Sequence, residues 1–325
     1  MVEQGRIRVS LSTIDRCCKN LYEDLAGGPE RYRVARARLA CGAQVLDAGV
    51  ETAGSFETGA KVSELCQGGL ARASIGVAEC GGTPFPAIAV ESFAPALSTF
   101  KLQSAFGFEG VMLSGPIKLH LEENPFIDRD IPLQDAKNTL SAVVQADELP
   151  DCAWARRLAE RVKCNAEDLR LVVAPQESVA GSTQISGRMN ENILLTMEKS
   201  LGYPAAAVEQ IVGRSPICPV NSGAKGKKRL LPDDFLHYAG CAYLTMRAEP
   251  GWDVKKLAYD LTFESLDIYG ALFIDLLEAA GGDFFKIPNI GGINKLAVVT
   301  VNDLNSRRVY AAGRANYDLL LSNLI

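Results

Sequence analysis

Short β-branched apolar runs alternate along this chain with segments of helical period, and that alternation restricts its fold more than any other feature. Residues 140–145 and 169–174 are apolar almost without interruption, and Pro175 stops the second run. Runs this short read as strands covered on both faces. By contrast, Leu11, Ile14, Cys18, Leu21 and Leu25 recur at helical spacing until Gly27 and Gly28 end the run. Further strands are expected over 43–46, 87–90, 208–212 and 235–246. A hairpin is expected over 296–301 and 308–312, turning at 303–306. Helices are expected over 60–70, 95–105, 154–162 and 182–200, with one or two more within 253–280 and a short one at the end. Residues 29–40 read as helix or loop, and 213–232 as a loop with a basic run. The mixture indicates α/β or α+β. At ~150 residues per domain, a 325-residue chain has room for two α/β domains, here 1–160 and 161–325.

Composition removes several function classes. Hydrophobic residues at 47% and charged residues at 22% describe an ordered globular chain, not a disordered one. The net charge of −5 speaks against a nucleic-acid partner, which needs a basic surface. Nine cysteines, an odd count with no Cys-x-x-Cys, fit reduced thiols in a cytoplasmic protein. Residues 1–10 lack the apolar centre of a secretory leader, and no run is long enough for a membrane helix. His120 and His237 are the only histidines and lie far apart, so no metal site is expected. Neither a Gly-x-Gly-x-x-Gly turn nor a Gly-x-Ser-x-Gly elbow occurs.

One segment is chemically dense. Residues 174–188 follow a buried strand and include Ser178, Ser182, Thr183, Gln184, Ser186 and two glycines, Gly181 and Gly187, that free the backbone. A strand-to-helix turn of this kind is where α/β proteins receive ligands; an ordinary polar loop with an N-cap is the other reading. Arg188 and Glu191 lie three apart, on one helix face. By spacing alone they are a surface ion pair or a carboxylate base held by an arginine. Ser114-Gly115-Pro116-Ile117-Lys118 is a turn with one cation, either solvated or beside a site.

Taken together, these blocks resemble a known family. Residues 45–59, 63–71, 173–188 with Glu191, 216–220, 284–288 and 301–304 are similar, in order, to methenyltetrahydromethanopterin cyclohydrolases. The resemblance implies two α/β domains with a substrate pocket between them, a homotrimer, and no permanently bound cofactor. It implies a tetrahydromethanopterin derivative as substrate, in one-carbon metabolism serving formaldehyde oxidation in a diverged bacterial member. Its catalytic pair maps to Arg188 and Glu191. Ser182, Thr183, Gln184, Ser186, Lys118, Ser114 and Glu64 would bind substrate. Lys118 stands where the family usually has arginine, and Asp233-Asp234 where it has Asn-Asp. A non-catalytic pterin-binding paralogue and a cyclohydrolase for a folate-type methenyl cofactor share these residues as alternatives.

Overall fold

The computed structural model describes residues 9–121, 140–220 and 226–325. Most of the leading stretch 1–10, and residues 221–225 of the expected 213–232 loop, lie outside the described residues.

Two six-stranded sheets form the frame. The first has the order β1 (Ala35–Arg38), β2 (Gln44–Asp47), β8 (Arg170–Val173), β7 (Ser141–Gln145), β6 (Val111–Ser114), β5 (Phe106–Phe108). Its centre is parallel: Val45 pairs with Leu171, and Ala142 pairs with Leu171 from the other side. The second runs β12 (Arg308–Gly313), β11 (Val298–Asp303), β10 (Cys241–Met246), β9 (Val208–Pro216), β4 (Thr83–Ser92), β3 (Ala71–Cys80). Only β10 and β11 are parallel there. The first sheet takes its strands from residues 35–47 and 106–173 and the second from 71–92 and 208–313, so the two α/β units interleave in sequence.

The central strands of the first sheet are covered on both faces, which is why they carry no polar alternation, whereas edge strand β1 is exposed along its length. Val45, Leu171 and Val173 pack with Ala155 and Leu158 of α4 (Cys152–Arg161). Their neighbours Leu46 and Val172 face α1 (Leu11–Gly27) and α3 (Phe56–Cys66), meeting Tyr22, Leu25, Val62 and Leu65. One face of the second sheet is covered by α6 (Met189–Lys199) and α8 (Val254–Asp260), and at one end of its other face Cys80 and Phe85 are buried with Phe235 and Tyr238. Ile193, Leu194 and Met197 of α6 are fully buried there, each contributing ~1.5–3 kcal/mol. The opposite face leaves Val212, Tyr243 and Val309 exposed.

Several expected elements change. Residues 182–200 are not one helix: α5 (Val179–Ser186) ends at Gly187, and α6 begins after Arg188. Residues 235–246 are not one strand: α7 (Pro232–Ala239) precedes β10. Nearly all of α7 is buried, so its apolar run showed no helical stripe and mimicked a strand. Residues 213–216 continue β9 instead of opening a loop. The 95–105 helix is a π-helical segment, Ala96–Gln103. Residues 29–40 divide into the short α2 (Pro29–Tyr32) and β1, and β3 had no expected counterpart.

Candidate functional site

The chemically dense segment begins where β8 ends. Ser178 caps α5, its Oγ accepting the Gly181 N–H at 2.9 Å. Only glycine fits at 181, because a Cβ would stand 1.7 Å from the Pro175 carbonyl oxygen. The Gly49–Gly54 turn beside it is held from within: the Asp47 carboxylate accepts the N–H groups of Gly49, Val50, Glu51 and Thr52 at 2.7–3.0 Å.

The break between α5 and α6 positions the pair. Arg188 caps α6 and Glu191 sits in its first turn, where the helix dipole favours a carboxylate. Arg188 Nη1 donates to Glu191 Oε2 at 2.8 Å, with side-chain exposures of 13% and 7%. Distant segments fix the guanidinium further. Nη1 donates to the Gln103 carbonyl at 3.0 Å, and Nη2 to Ser114 Oγ at 3.3 Å. Ser114 in turn contacts the buried Cys66 thiol at 3.2 Å, which burial pushes up.

Arg188 and Glu191 line a cavity of about 850 Å³, within the range of small-molecule sites. One wall comes from the first sheet: the β5–β6 hairpin, and Gln145, Asp147 and Gln176 beyond the C-terminal ends of parallel β7 and β8. Ligands of open α/β sheets bind at such ends. The facing wall comes from α6, α7 and α9 (Phe273–Ala279), through Asn192, Asp233, Leu236 and Phe273.

Lys118 also lines the cavity and is buried, donating to the carbonyl and hydroxyl of Ser104. Burial pushes its amine down to about 7; Glu191 opposes that shift and Arg188 adds to it. Asp233, in the first turn of α7, is half-buried. Burial raises its carboxyl to about 6, with Arg188 pulling it down and Glu191 pushing it up. Glu191, Asp233, Arg188 and Lys118 therefore share one enclosure, where burial makes each charge sensitive to its neighbours.

The remaining expected site residues sit elsewhere. Ser182 Oγ donates to the Cys218 carbonyl at 2.7 Å and Thr183 Oγ1 to the Val179 carbonyl at 2.7 Å. Gln184 and Ser186 are buried in α5, and neither side chain finds a hydrogen-bond partner among the described residues. Glu64 accepts the Ala73 N–H at 2.9 Å. None of these five is on the cavity lining, and Ser114 reaches it only through Arg188. Conversely, Asp233, Gln103, Arg161 and Arg229 were not singled out as site residues. Proline followed by two aspartates is a helix-start signal, and reading it would have placed Asp233 in a first helical turn. Nothing local marks the Gln103 carbonyl. No group of three metal-binding side chains occurs among the described residues.

A cavity at the ends of parallel strands, with its polar groups gathered around one buried arginine, makes this a small-molecule-binding α/β protein. Known proteins narrow the class. Residues 13–324 match the family described as Cyclohydrolase (MCH). The methenyltetrahydromethanopterin cyclohydrolase of Methanocaldococcus jannaschii is 30% identical over 319 residues, covering 96% of this chain and 98% of that protein. Its counterpart in Methanococcus maripaludis strain C5 is 30% identical over 311 residues, 94% and 95% of the two chains. That of Methanococcus vannielii is 31% identical over 311 residues, 93% and 94%. This chain belongs to the cyclohydrolase family.

Proposed function

We propose that this protein hydrolyses the one-carbon bridge of methenyltetrahydromethanopterin to the 5-formyl compound, with the pterin as substrate and no permanently bound cofactor. The observation that carries the reading is the Arg188–Glu191 pair, held at 2.8 Å on the wall of a cavity of about 850 Å³. The match to proteins named for this reaction over nearly the whole chain supports it.

The substrate's methenyl carbon joins two nitrogens as an amidinium-like cation and is already electrophilic. What it lacks is a positioned, deprotonated water. Glu191 takes a proton from that water as the oxygen bonds to the carbon, and its charge favours the cationic ligand. Arg188, clamped by Gln103 and Ser114, fixes the carboxylate and offers N–H to the new hydroxyl. One carbon–nitrogen bond then breaks, the departing nitrogen takes a proton, and the hydroxyl loses one as the formyl carbonyl forms. One proton is released overall. Lys118, whose amine burial brings down to about 7, contributes positive charge to the cavity below that pH.

The exposed apolar side chains of Val212, Tyr243 and Val309 on one face of the second sheet support contact between copies of this chain, an assembly we read from the family resemblance as a homotrimer. The cytoplasm is the compartment we assign, a reading supported by nine cysteines in free form. No helix among the described residues is long and apolar enough to cross a membrane.

The test follows the near-ultraviolet absorbance of methenyltetrahydromethanopterin on mixing with wild type and with Glu191→Gln. Rapid bleaching by wild type, slowed ~10²-fold or more in the variant, is the expected result. Equal rates would move the base to another residue. Binding without bleaching by the folded wild type would reject the hydrolase reading.

A further inference from the structure

Away from the cavity, two cysteines from distant parts of the chain meet. Cys41 lies in the turn joining β1 to β2, and Cys152 is the first residue of α4. The Cys41 backbone N–H donates to Cys152 Sγ at 3.3 Å, and both residues are partly open to solvent. We propose that Cys41 and Cys152 form an oxidisable thiol pair, a modification site at which a hydroperoxide converts Cys152 to a sulfenic acid and Cys41 closes it to a disulfide.

Four groups prepare Cys152 for this chemistry, the Ala40 backbone among them. The peptide N–H of Cys41 and the Cys41 thiol both stabilise a negative sulfur, and these two contacts hold the Cys152 thiol below its ordinary range. Arg156, one helical turn along, adds positive charge. A thiolate with exposure and a neighbouring thiol is the arrangement that peroxide-sensitive cysteines share. The other cysteines with shifted thiols, Cys18, Cys66, Cys80 and Cys164, are pushed up instead, chiefly by burial.

The steps balance. The Cys152 sulfur attacks the terminal peroxide oxygen and the oxygen–oxygen bond breaks. The alkoxide leaves and takes a proton, and Cys152 carries the hydroxyl as a sulfenic acid. The Cys41 sulfur then displaces that oxygen as water. Two thiols lose two electrons in all, and the hydroperoxide is reduced to an alcohol and water. The resulting bond would tie the β1–β2 turn to α4, whose last residue, Arg161, lines the cavity.

The full-length protein is treated with stoichiometric tert-butyl hydroperoxide, alkylated and mapped without reduction. The expected result is one cross-linked peptide pair, containing Cys41 and Cys152, that a dithiol reductant reverses. In Cys41→Ser, Cys152 should stop at a sulfenic acid that a 1,3-diketone probe captures. In Cys152→Ser, Cys41 should stay alkylatable at the same dose. Retention of both thiols in the treated wild type, a cross-link between other cysteines only, or undiminished oxidation of Cys41 in Cys152→Ser would each overturn the proposal. Both variants change half-exposed residues, and thermal melting of each confirms that the fold under test is intact.

Discussion

Replacing Arg188 by methionine separates the packing of this side chain from its charge. The variant keeps a long apolar stem but leaves the Glu191 carboxylate, only 7% exposed, without its ion-pair partner. It also strips a donor from the Gln103 carbonyl and another from Ser114. Removing one member of a buried pair costs ~3–5 kcal/mol. Unfolding entropy of ~2.1 cal/mol/K per residue, applied to 325 residues, gives about 0.7 kcal/mol per degree. The expected fall in melting temperature is therefore about 4–7 °C by scanning calorimetry at neutral pH. Adding Glu191→Gln to Arg188→Met removes the stranded charge, so the double variant should lose less than the two single losses combined. The coupling expected from such a cycle is about 1–3 kcal/mol. A single-variant shift near 1 °C, or strictly additive losses, would show that the two groups do not depend on each other, and the argument for a held carboxylate would fail.

Two further predictions concern the other cavity charges. Lys118 titrates near 7 in the folded protein against an ordinary 10.5. Between those values the unfolded chain holds a proton the folded chain has lost, so Lys118 makes stability rise with pH. Lys118→Met should flatten that rise in denaturant titrations from pH 7 to 10, and an unchanged slope would mean that the amine is not desolvated. For Asp233 the sign reverses. Its carboxyl is raised from 3.8 to about 6, so the folded chain holds the extra proton and stability falls as pH climbs through that window. Asp233→Asn should abolish the fall, again by denaturant titration, and the same slope in both proteins would contradict the burial of this group.

How much of this was legible in the sequence depends on how far each contact reaches. The strands over 140–145 and 169–174 were readable because both faces are covered, and the 296–312 hairpin because its partners are sequence neighbours. Helix α7 was misread because burial on all sides erases the helical stripe that a half-exposed helix shows. The break after Ser186 carries a local signal, since glycine commonly closes a helix, and the helix expected over 182–200 runs through it.

The candidate site divides the same way. A spacing of three places Arg188 and Glu191 on one side of a helical turn, so their pairing belongs to the sequence alone. Whether that pair is a solvated surface bridge or a buried one is decided by residues far along the chain: Gln103 and Ser114, brought against Arg188, and Asp233, which lines the same cavity. The hydroxyls of Ser182 and Thr183 lie in the same short segment, yet tertiary packing turns them onto backbone carbonyls. Local geometry follows from covalent bond lengths and helical pitch, which every short segment carries within itself. Burial, and with it the strength and protonation of each charge, follows from which distant surfaces close over a group, and only the assembled sheets determine that.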